Sequence, residues 1–108
     1  MKKNRVFLIG YVGMDLASKE LENGVKRVAL RMATHNRRTT GTGEQKVATT
    51  WHDVVAWEDT AEFAVRNFVK GSKIMVEGEI EYRTYLDYSG HKRYITQIKA
   101  YSLMNLDR

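Results

Sequence analysis

The chain has no cysteine and no proline among its 108 residues. Without thiols there are no disulfides and no thiolate zinc sites. No linker, repeat or low-complexity tract interrupts it, and its eight glycines suit tight turns in one compact domain. No apolar run reaches 18 residues, so no transmembrane helix is expected. The run Val6 to Ile9 behind the basic N-terminus is broken by Gly10 and is too short for a signal-peptide core. A soluble, cytoplasmic protein is the expectation.

Catalytic signatures are missing too. There is no Gly-rich phosphate loop, serine elbow or HExxH pattern. His35, His52 and His91 are far apart and lack cysteine company, which argues against a metal site. Glu77, Glu79 and Glu81 alternate on one strand face and read as a solvated row paired with Lys or Arg. No cofactor and no enzymatic activity are expected.

Positive charge is what the chain has. The net charge is +5, and residues 1–50 carry ten basic against four acidic side chains. Such a field attracts phosphate whatever the nucleic-acid sequence. The second feature is the run Thr50 to Trp57, which holds both tryptophans, Trp51 and Trp57. They are six apart, so a strand places them on one face. Flat rings beside positive charge form a surface on which unpaired bases stack.

Patterning predicts a first strand over Arg5–Val12 and a loop through Asp15 to the Asn23-Gly24 turn. A second strand follows over Val25–Asn36, where Val28, Leu30 and Met32 alternate with Ala29, Arg31 and Ala33. The polar stretch Arg37–Thr50, with Gly41-Thr42-Gly43 at its middle, reads as a long, mobile hairpin arm carrying Arg37, Arg38 and Lys46. Trp51–Trp57 is the third strand. Asp59–Lys70 is the helix, with Asp59 and Glu62 as a capping box, a stripe of Ala61, Ala64, Val65, Phe68 and Val69, and Gly71 as its stop. Lys73–Tyr85 and Arg93–Leu103 complete five strands, joined by the hairpin Asp87–His91. Three strands, a helix and two strands suggest an all-β Greek-key barrel of the OB type, with the helix between strands three and four.

Several segments, in order, resemble the bacterial single-stranded DNA-binding proteins. They are Asn4–Gly13, Trp51–Trp57 with its WH-x-V-V pattern, Lys70–Gly78 and Tyr85–Tyr94. The resemblance covers nearly the whole chain. It implies sequence-independent binding of single-stranded DNA in replication, recombination or repair, at the nucleoid. It also implies a homotetramer, a dimer of dimers paired through first strands, where Arg5, Phe7 and Ile9 lie. Family stacking aromatics fall on Trp51, Trp57 and Tyr85. A fourth aromatic position falls on Arg38, whose guanidinium plane can still stack. Family basic contacts fall on Lys70 and Arg83, and His52 occupies a subunit-interface position.

Some positions depart from the family pattern. Glu58-Asp59 replaces a common Gly-Lys, and Asp53 and Glu81 stand where a basic residue is common. These imply a shifted DNA path or weaker, more salt-sensitive binding. The sequence ends at Asn105–Arg108, just past the last strand, so the family's acidic tail and its replication partners are not expected. The acidic positions also leave room for a protein-interaction accessory of a replication assembly, and stacking leaves room for an RNA-binding variant.

Overall fold

Two-residue alternation builds the strands. The computed structural model describes residues 3–16, 19–20 and 23–107, and of 19 and 20 only the backbone. The strands are β1 (Val6–Val12), β2 (Lys19–Glu20), β3 (Lys26–Thr39), β4 (Gln45–Trp57), β5 (Lys73–Leu86) and β6 (Lys92–Asn105), with α1 (Glu58–Asn67) between β4 and β5. β1 pairs with β5, β5 with β6, and β4 with β3, all antiparallel, while β6 runs parallel to β4. β3 returns to β1 at Tyr11↔Ala33 and Val12↔Met32, which closes the barrel. This is the expected OB-type Greek key, with the helix between its third and fourth barrel strands. β2 is a short addition on the edge of β3, in the segment read as a loop. Residues 17, 18, 21 and 22 of that loop lie outside the described residues.

The closure depends on a missing side chain. A Cβ at Gly10 would stand 2.0 Å from the Ala33 carbonyl oxygen. Inside, Val28, Leu30 and Met32 of β3 meet Val54 and Ala56 of β4, Ile74 and Val76 of β5, and Ala100 and Leu103 of β6. Burying each large aliphatic side chain contributes roughly 1.5–3 kcal/mol. Ala100 and Leu103 both point inward although three apart. Glu77 pairs with Ser102 and Gly78 with Ala100, so Tyr101 is an extra residue that resets the alternation.

The helix differs from its expected form. Its N-cap is Trp57, with no side-chain capping bond, so the Asp59–Glu62 box does not form. Glu58 enters at φ 51° and accepts the backbone N–H of Lys26 instead. Glu62 pairs with the Lys26 ammonium, which holds its carboxyl below the usual range. Glu58 and Asp59 still suit the positive end of the helix. The helix stops at Asn67, and the Phe68 N–H closes its last turn on the Ala64 carbonyl at 3.1 Å. Ala61, Ala64 and Phe68 plug the barrel end, while Val69 lies past the helix and is exposed.

The arm is the expected hairpin, but its flanking strands do not stop at Asn36 and start at Trp51: β3 and β4 stay on one ladder out to Thr39↔Gln45. Only Thr40–Glu44 turn, with Gly43 at φ 84°. The β5–β6 ladder likewise runs out to Leu86↔Lys92. These two ribbons give a radius of gyration of 16.0 Å, against about 13 Å for a compact domain of this size.

Candidate nucleic-acid interface

The β3–β4 register sorts the basic and aromatic residues onto two faces. Every pair joins odd to odd or even to even, from Arg27↔Trp57 to Thr39↔Gln45. Even positions Val28, Leu30, Met32, Val54 and Ala56 face the core. Odd positions Arg27, Arg31, Arg37, Trp51, Asp53 and Trp57 therefore share the outer face. Arg38 and Lys46 lie directly opposite one another on the reverse face. The arm thus keeps Arg37 with the tryptophans and separates Arg38 and Lys46 from them.

Trp51 is half exposed, at 49%. Its ring leans over Gly13, where a Cβ would approach it to 2.4 Å. The Arg31 guanidinium stands 5.3 Å from the Trp51 ring centre, and Arg27 stands 5.6 Å from that of Trp57. Asp53, opposite Arg31 on the ladder, lies 3.4 Å from its Nε. An exposed cation–π contact is worth about 0.5–1 kcal/mol. A stacked base is worth about 1–3 kcal/mol. The rings are covered, but by a partner that a base can displace.

The β5–β6 ribbon adds the third aromatic. Tyr85 is 47% exposed and shares its ladder face with Arg83, Arg93, Ile95 and Gln97. Arg93 is bound to the Asp87 carboxylate at 2.9 Å. Arg83, Ile95 and Gln97 line a cleft of about 140 Å³ whose other wall includes Arg27, Arg31 and Asp53. This cleft joins the two ribbons on the tryptophan face. A larger cleft of about 330 Å³, among Val6, Leu8, Trp51, Asp53, Ile80 and Ile98, has no lysine or arginine in its lining among the described residues. Trp51 lines the larger cleft and the arginines line the smaller one. Lys70 lies away from it, beyond the helix, where its backbone N–H donates to Asp15.

The model of the single-strand binding protein family matches residues 3–106. The chain belongs to that family. Among solved structures it resembles the Plasmodium falciparum SSB in complex with single-stranded DNA, at 26% identity and a TM-score of 0.86, over 99% of this chain and 97% of that one. It also resembles a deletion mutant of the single-stranded DNA-binding protein from Thermus aquaticus, at 28% identity and a TM-score of 0.83. It covers 96% of its own length there and spans half the length of the Thermus protein.

In this single-strand binding family member, the residues expected at a subunit interface fall in two places. Phe7 and Ile9 point outward from β1, 58% and 47% exposed. Arg5, just before β1, pairs with Glu77 of the same chain. His52 faces the other way, half-buried and bonded to Thr34 at 2.9 Å, in the lining of the larger cleft. Of the acidic row, Glu81 accepts a 2.7 Å bond from Gln97. Arg27 and Arg31 were not singled out from the sequence. The signal was present: the alternation that sends Val28, Leu30 and Met32 inward sends Arg27 and Arg31 outward.

Proposed function

We propose that this protein binds single-stranded DNA without regard to sequence and protects it during replication, recombination or repair. The observation that carries the reading is Trp51 and Trp57 on one ladder face, each under the guanidinium of an arginine that lines one shared cleft. Bases stack on Trp51, Trp57 and Tyr85, and phosphates lie along Arg37 and Arg83. Arg38, Lys46 and Lys70 stand off this groove and serve as outlying phosphate contacts, engaged where the strand leaves it. The protein acts by binding, not catalysis, in the cytoplasm at the nucleoid. It works as a homotetramer built through β1, whose Phe7 and Ile9 a second copy covers.

The test is a titration of tryptophan fluorescence with oligo(dT), at low and high salt, with duplex DNA as control. Strong quenching by the single strand, weakened by salt, is the expected result. No quenching at low salt would remove the stacking platform and the function with it.

A further inference from the structure

The arginines on the tryptophan rings carry a further assignment, which rests on the single-stranded DNA reading. We propose that Arg27 and Arg31 are phosphate ligands held in reserve on Trp57 and Trp51. With Arg83 they form a seat for the phosphates of the strand as it runs from one ring to the other.

Three observations converge on it. Each guanidinium stands over a tryptophan ring face, at 5.6 Å for Arg27 and 5.3 Å for Arg31. A base that stacks on that face displaces it. Both line the same small cleft as Arg83, so a displaced guanidinium remains beside the incoming backbone. Among the described residues the one carboxylate in that lining is Asp53. Three arginines against one aspartate leave a formal excess of +2, which suits a chain bearing one negative charge per nucleotide. Arginine fits the task because its planar fork can either stack on a ring or bind two phosphate oxygens. Binding is then an exchange: a base takes the ring, and the guanidinium turns to the flanking phosphate. Asp53 holds Arg31 in the waiting position through its 3.4 Å ion pair and loses that partner on binding.

The alternative is that the arginines only cover the rings and compete with the bases. Salt dependence separates the two. A labelled oligo(dT) is titrated at several salt concentrations against the wild type, Arg27→Gln, Arg31→Gln, their double variant and Asp53→Asn. Arg66→Gln, on the exposed side of α1, controls for net charge. Glutamine keeps a planar group near the ring but removes the charge. Each single variant should lower the slope of log K against log salt by about 0.7, the double by about twice that, and Arg66→Gln not at all. The double variant should bind about ten-fold or more weakly at low salt, and Asp53→Asn several-fold more tightly. An unchanged slope, or tighter binding by the arginine variants, would overturn the assignment. Circular dichroism melts check that each variant is folded, and the single variants decide if the double is not. A wild type that ignores oligo(dT) would instead strike the DNA reading beneath it.

Discussion

Trp51 and Gly13 act as one unit. The indole lies where a Cβ on Gly13 would be, and the closest ring atom would stand 2.4 Å from it. Gly13→Ala therefore has to tilt the ring without touching the core. The expected outcome is a small change in melting temperature, a shifted tryptophan emission and weaker oligo(dT) binding; unaltered emission and affinity would show that the ring has room to spare. Trp51→Ala removes the platform itself and should cost about 1–3 kcal/mol of oligo(dT) affinity in a folded protein. Wild-type affinity in that variant would mean the strand runs elsewhere. At this scale the sequence was informative about kind and less so about company. The spacing of Trp51 and Trp57 put them on one face, as found. It did not say that Arg38 and Lys46 face away, because strand parity through the arm depends on where pairing ends. Nor did it show that Asp53 sits across from Arg31, since cross-strand partners follow from register and not from neighbours in the chain.

The two ribbons show what local pattern reveals of an element. Both hairpins were legible from their glycines. Their length was not, because polar residues on an exposed ladder look like loop. The helix cap failed for a tertiary reason: Glu58 and Glu62 are committed to Lys26 of β3, which fixes the helix entry without a side-chain cap. In the β5–β6 ribbon one carboxylate organises the tip. Asp87 accepts Arg93 Nε and the backbone N–H groups of His91 and Ser89, all at 2.9 Å. The Arg93 bond above all, then the amides, holds its carboxyl below the ordinary aspartate range. A lowered folded pKa means that the stabilisation is present above the unfolded value, about 3.9. It is lost as pH falls through the lower folded one. Amide exchange at Ser89 and His91 should stay slow, once corrected for intrinsic rates, down to about pH 4 and accelerate only below that. Asp87→Ala should open the tip at neutral pH and abolish this acid transition. Equal protection in wild type and variant would show that the ladder alone sets the turn.

The whole molecule leaves one strand half used. β1 pairs with β5 from Val6 to Tyr11, but with β3 only at Tyr11 and Val12. Among the described residues no strand pairs with its second edge over Val6–Ile9, where the side chains of Phe7 and Ile9 are exposed. An open apolar edge of this kind invites another chain. A second copy is the partner that the proposed tetramer supplies. Phe7 makes no part of the core, so Phe7→Glu should leave the barrel folded and disrupt the assembly. Light scattering should give about 50 kDa for four chains of 12.5 kDa, and half of that or less for the variant. The assembly also decides how affinity scales with DNA length. One barrel takes roughly 4–16 nucleotides, so a strand that fits a single site binds wild type and variant alike. A long strand reaches several linked sites in the tetramer and gains about 10²–10⁴-fold in avidity. Phe7→Glu should therefore lose affinity for long oligo(dT) and keep it for short. If the two lengths fell together, Phe7 would be acting on the barrel; if neither fell and the mass stayed at about 50 kDa, the copies would meet through another face.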